Sequence, residues 1–238
     1  MIRDGSGEPL VLLHGVTNSE RVWTNVAPML TEHHEVIAPT ALGHRGGHPT
    51  TTQPVRIAHV TDDVERLLDE LDFATVHLAG NSMGGWVALE LARRGRARSV
   101  CALSPAGAWK PGAAEHYLGR DMIRRTARDV RISRPVLPTL ARSASFRRRA
   151  LRAVAVHGER IDRTELLDLC DDMLGCTARD DLLAAPEQLA PLNPLPCPIT
   201  LAWSAEDRIF PPEVNGAIAR ERIPGARCIT LADVGQCR

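Results

Sequence analysis

The chain has 238 residues, 44% of them hydrophobic and 24% charged, enough for one sizeable core and suited to one domain with an insertion. Its formal net charge is zero, so no global field draws it to nucleic acid or a membrane. No stretch approaches the ~18 apolar residues of a spanning helix, and the N-terminus lacks the apolar region of a signal peptide. The six cysteines are scattered, with no C-x-x-C pair and no ligand-like grouping with histidine. Reduced thiols, no metal or cofactor motif and a cytoplasmic location are the expectations that follow.

Residues 1–8 are short and polar and end in a Gly-Ser-Gly turn. Pro9 to Leu13 is a continuous apolar run, as in a strand buried on both faces of a parallel sheet. It stops at His14-Gly15-Val16-Thr17-Asn18. Val22, Trp23, Val26, Met29 and Leu30 have helical spacing and predict a helix from about Glu20 to Thr31. A second strand over 35–38 leads into a glycine-rich loop over 39–47. Residues 57–72 predict an amphipathic helix with Val60, Val64, Leu67, Leu68 and Leu71 on one stripe.

The next stretch organises the rest. A buried strand, Thr75 to Ala79, runs into Gly80-Asn81-Ser82-Met83-Gly84-Gly85, and a helix follows. A serine between glycines at a strand-to-helix turn fits a nucleophile elbow. The turn needs small neighbours because it is sharp and holds the serine backbone in a strained conformation. The first amides of the helix point at the same place, which makes the Met83 N–H a candidate oxyanion donor.

A further buried strand over 99–103 completes an alternation that means a doubly wound, mostly parallel sheet. Alternation then lapses. Between about 109 and 192 only helix-like segments occur, near 116–131, 142–156, 162–174 and 178–190. The sheet resumes at 198–203, followed by a helix near 213–222 and a last strand over 227–231. The expected organisation is a core of residues 1–105 and 195–238 with a helical cap over 106–194.

In such a sheet function gathers at the carboxyl ends of the strands. Four stretches meet that condition: 14–17, 40–47, 80–85 and 204–210. Leu12-Leu13-His14-Gly15, Trp23, Gly80 to Gly85 and Trp203-Ser204-Ala205-Glu206-Asp207-Arg208-Ile209-Phe210-Pro211 together resemble the α/β-hydrolase superfamily. Gly-Asn-Ser-Met-Gly-Gly with a helical cap looks like the branch of carbon–carbon bond hydrolases, and simple esterases and haloperoxidase-like members share much of it. The resemblance implies an α/β-hydrolase fold, Ser82 as nucleophile, and the backbone N–H groups of Val16 and Met83 as oxyanion hole. It implies Asp207 as the acid that orients a histidine, with Glu206 as the neighbour open to confusion. It makes His14 a structural part of its loop, and a serine at 82 argues against the branches with a carboxylate nucleophile, epoxide hydrolases and dehalogenases. A small-molecule substrate, no cofactor, and no nucleic-acid or membrane partner are implied; oligomeric state is left open.

The triad order in this fold is Ser, acid, His, the histidine in a Val-Gly-His-like turn after the last strand. Here that turn reads Val234-Gly235-Gln236. All nine histidines precede Asp207. Glutamine cannot accept a proton near neutral pH, so general-base activation of Ser82 is expected to be lost. Three explanations stand open: a chain truncated or altered at its end, where the final helix and the opening strands of the fold are also missing; a deliberate base-to-glutamine change; or an inactive relative that binds a small molecule. His116 and His157 in the cap are the candidate stand-ins. Residues 116–163 hold thirteen arginines, read as a solvated face that compensates the acidic 165–187 stretch, with binding of acidic substrates as the alternative.

Overall fold

A computed structural model describes residues 1–110, 112 and 114–235, and of residues 114–118 the backbone only. Seven strands form one sheet: β1 (Ile2–Asp4), β2 (Glu8–Leu13), β3 (His34–Ala38), β4 (Val76–Asn81), β5 (Ala97–Leu103), β6 (Ile199–Ser204) and β7 (Arg227–Leu231). Their spatial order is β1-β3-β2-β4-β5-β6-β7, and every pairing is parallel except that of β1 with β3. The helices are α1 (Ile57–Glu70), α2 (Met83–Arg93), α3 (Ala114–Ser133), α4 (Leu137–Leu140), α5 (Ala144–Leu151), α6 (Arg163–Gly175), α7 (Arg179–Ala184) and α8 (Ala217–Arg222).

β2 shows why its run is apolar throughout. Val11 and Leu13 join the core formed with α1 and α2, whereas Leu12 faces a second cluster with Trp23, Ala27, Val36 and Ala38. Alternate side chains point to opposite faces, and both faces are covered. The two cores together hold the sheet between layers.

Five expectations need correction. Residues 20–31 form no α-helix but two short 3-10 turns, Glu20–Trp23 and Ala27–Met29. Their apolar spacing is genuine, but Asn25 and Pro28 interrupt the helical ladder. The opening of the chain is not strandless, because Ile2–Asp4 pairs antiparallel with β3. Residues 142–156 are helical only over Ala144–Leu151, and 178–190 only over Arg179–Ala184, where Pro186 and Pro191 follow. The helix near 213–222 begins as a wide π-type turn, Pro212–Gly216, before α8.

Among the described residues the segment between β5 and β6 contains helices and no strand. It has its own apolar cluster, with Leu137, Ala141, Ala155, Ile161, Leu166 and Cys170 buried inside it. It is tied to the loops after β2 and β3 by polar contacts. Asp172 of α6, fully buried, accepts from Ser19 Oγ, from Arg21 Nη1 at 3.0 Å and from Arg45 Nη1 at 2.9 Å. The Gly43 carbonyl accepts the Thr177 amide at 2.8 Å and the Ala178 amide at 3.2 Å. Gly43 has φ +72°, and a Cβ there would lie 2.6 Å from that of Ala178, so the approach requires glycine.

Candidate active site

Ser82 stands between β4 and α2 with φ +54° and ψ −113°, a left-handed-side conformation that costs a non-glycine residue of order 1–3 kcal/mol. Its surroundings over-determine it. The Ser82 N–H donates to Leu103 O at 2.9 Å, and its carbonyl accepts from Trp86 N–H at 3.1 Å and Ala106 N–H at 3.0 Å. A Cβ on Gly80 would lie 2.3 Å from Gly84 O, and one on Gly84 would lie 2.1 Å from Leu13 O. Strand, turn and helix therefore meet backbone to backbone.

The loop after β2 lies in contact with the elbow, since a Cβ on Gly15 would lie 3.4 Å from Ser82 Cβ. The Gly15 carbonyl is taken twice, by the His14 Nδ1–H at 2.8 Å and the Asn18 N–H at 3.2 Å. A peptide unit is planar, and its N–H points opposite to its C=O. Pinning Gly15 O therefore fixes the direction of the Val16 N–H. The same logic holds at the elbow, where the doubly occupied Ser82 carbonyl fixes the Met83 N–H. Two amides on neighbouring strand ends are thus oriented by carbonyls that cannot turn.

His14 is held on both sides, because its Nε2 accepts the Ala41 N–H at 2.9 Å. This sets the neutral tautomer with the proton on Nδ1. Burial pushes its pKa down to about 4, partly offset by the Gly15 carbonyl. His44 packs edge-on against it, ring centroids 5.0 Å apart, and burial and the neighbouring ring push His44 down to about 3. Neither imidazole is placed to be a base for Ser82. His14 is a strut of the Val16 loop, as the resemblance implies.

Asp207 is buried in the loop after β6. Its Oδ1 accepts the Ile209 N–H at 2.9 Å and the Phe210 N–H at 2.8 Å. Oδ2 is enclosed and has no partner among the described residues. Burial raises its pKa to about 6, against the pull of the two amides and of the Ser104 hydroxyl. The loop is braced by Trp203 Nε1–H, which donates to Phe210 O at 2.8 Å. Glu206 is exposed, with its amide donating to Val234 O at 3.3 Å, which separates the two adjacent acids by environment.

The chain past β7 therefore runs beside the acid loop. Gly235 is buried against Val154 and Ala155 of the helical segment. Gln236, the expected base position, lies outside the described residues, as does the side chain of His116. His157 faces Asp233 Oδ2 at 3.0 Å and Glu159 Oε1 at 3.5 Å, a pairing with those two carboxylates and not with Asp207. Of the remaining histidines, His34, His48, His59 and His77 bond to Glu8 O, Asp63, the Arg56 amide, and Ser99 with Glu8 respectively, while His33 is exposed. Among the described residues no histidine bonds to Ser82 or Asp207.

Sequence reasoning missed Ser104, Asp172 and His44. Ser104 follows β5 at a strand end with φ +41°, and its Oγ accepts the Ser204 N–H at 3.3 Å, joining β5 to the acid loop. Its only signal was a hydroxyl at a strand terminus before a proline. Among the described residues no group of His, Cys, Asp and Glu is arranged to hold a metal ion. Among the described residues no helix is long and apolar enough to cross a membrane.

A parallel sheet with a strained serine at a strand-to-helix elbow, two amides of fixed direction on the adjoining strand ends and a buried acid after a later strand defines a hydrolase scaffold. The chain belongs to the alpha/beta hydrolase family, whose model matches residues 10–238. It is 32% identical over 189 residues to the epoxide hydrolase EphH of Mycobacterium tuberculosis, covering 74% of this chain and 84% of the relative. Among solved structures it is similar to a thermophilic esterase from Thermogutta terrifontis, with TM-score 0.68, 25% identity, and 99% of this chain and 85% of that chain covered. The fold is also that of the 2-hydroxy-6-oxo-6-phenylhexa-2,4-dienoate hydrolase from Rhodococcus sp. strain RHA1, with TM-score 0.73, 20% identity, and 98% and 86% covered.

Proposed function

We propose that this chain carries the machinery of a serine hydrolase for an ester or an activated carbon–carbon or carbonyl small molecule, with the general base replaced by Gln236. The observation that carries the reading is the pair of doubly pinned carbonyls, Gly15 O and Ser82 O, which fix the directions of the Val16 and Met83 amides on the two loops that adjoin Ser82. In the reaction Ser82 Oγ attacks the substrate carbonyl and its proton passes to a base. The negative oxygen of the tetrahedral intermediate is stabilised by the two amides, and its collapse expels the leaving group with that proton. Water then splits the acyl-serine by the same route. One oxyanion donor is worth ~2.7–4 kcal/mol. Asp207 would orient the imidazole and stabilise its charged form. Residues 106–194 act in this reading as a cap over the site.

The name of the mycobacterial relative raises an epoxide substrate, and Ser82 argues against one. A carboxylate that opens an epoxide forms an ester, which water can cleave. A serine would form an alkyl ether, for which the oxyanion amides offer no route onward. An acyl substrate fits the nucleophile.

A second reading, a catalytically silent small-molecule binder on the same scaffold, is favoured by the commitment of the described histidines elsewhere. A serine-directed fluorophosphonate separates the two. The expected result for an impaired hydrolase is slow labelling at Ser82, abolished by Ser82→Ala, with Gln236→His raising nitrophenyl-ester turnover by about 10²–10⁴-fold. Small-molecule binding without labelling, and no gain from Gln236→His, would establish the binder.

A further inference from the structure

The zero net charge of the chain hides a strong separation. Residues 116–163 carry thirteen arginines against Asp121, Asp129, Glu159 and Asp162, a formal +9 that leaves −9 for the remainder. The expectation that this face compensates the acids of 165–187 is met by Arg124, 3.7 Å from Asp180, and by Arg134, 2.7 Å from Asp171. Arg131 joins Arg179 and Arg124 in lowering the Asp180 pKa. Arg125 and Arg142 are exposed and form no ion pair with any described residue, and exposed Arg128 meets only its own neighbour Asp129.

The same surface shows large apolar side chains. Ile132 is 72% exposed, Val136 55% and Leu140 41%, all within nine residues. Arg125, Arg128 and Ile132 share a stripe of α3 at i, i+3 and i+7. Past the end of α3, the Leu140 N–H bonds to Val136 O at 3.2 Å, an i,i+4 step that sets those two side chains on one face. Leu137 and Ala141, on the opposite side of the same turn, fill the inner cluster. The outward trio is therefore surplus to the core of the segment.

We propose that this face of the helical segment docks on an anionic lipid surface, the apolar trio entering the headgroup boundary and the surrounding arginines meeting lipid phosphates. The charge argues for the occupant. An apolar trio with the exposed Arg125 and Arg128 on the same helix stripe is complementary to a surface with hydrocarbon beneath negative headgroups. A second copy that docked through the same face would bring like charge against like charge. A nucleic acid would offer phosphate but no partner for Ile132, Val136 and Leu140, and the chain is only 3% aromatic, which leaves little to stack on bases. The idea stands whether or not Ser82 is active.

The test is co-sedimentation of the full chain with vesicles of phosphatidylglycerol and phosphatidylcholine, compared with pure phosphatidylcholine. Binding is expected to the anionic vesicles alone and to fall steeply at high salt. Reversing Arg125 and Arg128 to glutamate should weaken it by at least fivefold per site. Ile132→Ser with Val136→Ser and Leu140→Ser should weaken it by at least tenfold, with circular dichroism and melting unchanged. Equal binding to both vesicle types, no binding, or indifference to either variant set would overturn the proposal. So would a dimer in size exclusion that the apolar variant dissolves, or tighter binding to an RNA or DNA oligomer that only the arginine variant loses.

Discussion

The elbow around Ser82 and the helical segment above the sheet are held by different physics. At the elbow, backbone meets backbone. Gly80 and Gly84 remove the side chains that would collide, and carbonyls with two donors each lock the geometry. The helical segment has its own small apolar core, contributes Ala178, Leu189 and Leu192 to the main core, and is moored further by the buried Asp172 carboxylate, the Gly43 carbonyl and the Asp181 carboxylate that accepts the Val55 N–H. The first arrangement tolerates no added Cβ at Gly80 or Gly84 without distortion. The second rests on side chains, which can rearrange without driving backbone into backbone.

This contrast can be broken or sharpened by experiment. The largest effect is expected for Gly84→Ala, whose methyl would lie 2.1 Å from Leu13 O. Strain of that kind should cost upwards of 4 kcal/mol, read as a loss of soluble protein or a large fall in urea midpoint across the whole chain. A mild effect would show that the elbow relaxes after all.

Asp172→Asn comes next. It removes the charge that Arg21 and Arg45 share at a fully buried position; both guanidiniums reach solvent, which limits the cost to about 2 kcal/mol. The loss should be local. Trypsin should cut the arginine-rich 116–163 stretch faster while the sheet melts nearly as before, and a uniform fall in stability would mean the two regions are one cooperative unit.

Asp207 supplies a pH test. Its folded pKa, raised to about 6, lies above the unfolded value of about 3.9, so the folded state holds the proton more tightly. Burial of this group is without penalty below pH 4, and the penalty grows as pH rises through 6, to about 3 kcal/mol. Asp207→Asn keeps an acceptor for the Ile209 and Phe210 amides and should therefore stabilise by ~1–3 kcal/mol at pH 8 and by little at pH 4. His14 and His44 run the other way. Their folded pKa values of about 4 and about 3 lie below the ordinary 6.5, so the unfolded chain takes up protons first as pH falls and stability drops from pH 6.5 downward. Urea midpoints of the parent and Asp207→Asn across pH 4–8 resolve both slopes, and a parent as stable at pH 4 as at pH 7 would contradict the histidine assignment.

The smallest effect is expected for Arg134→Ala, which breaks a half-exposed pair with Asp171 at 2.7 Å. Under about 1 kcal/mol should be lost.

The parallel strands and the elbow were legible because burial on both sheet faces forces continuous apolar runs, and because only a Gly-rich serine turn satisfies the close approach. Ile2–Asp4 escaped notice because an edge strand of three mostly polar residues has no periodicity to read. The 20–31 stretch misled because an apolar stripe reports which side faces the core, not whether the backbone between Asn25 and Pro28 can close an α-helical ladder. The pinned carbonyls of Gly15 and Ser82 are invisible in principle, since backbone hydrogen bonds leave no mark on residue identity beyond the glycines. Asp172 lies in the acidic 165–187 stretch, which the sequence marks only as charge opposite the arginine-rich face. A carboxylate in a helix looks the same in sequence whether it meets water or two arginines from distant loops.

That mooring has a consequence for anyone recombining this scaffold. Ser19, Arg21 and Arg45 belong to the loops that follow β2 and β3, and the first of these loops begins with His14, Gly15 and Val16. The helical segment is thus spliced to the same stretch of chain that aims the Val16 amide. A replacement segment without a carboxylate at position 172 would leave Ser19, Arg21 and Arg45 without the acceptor they share. Chimeras that exchange these helices should carry the Ser19, Arg21, Arg45 and Asp172 set with them as one graft.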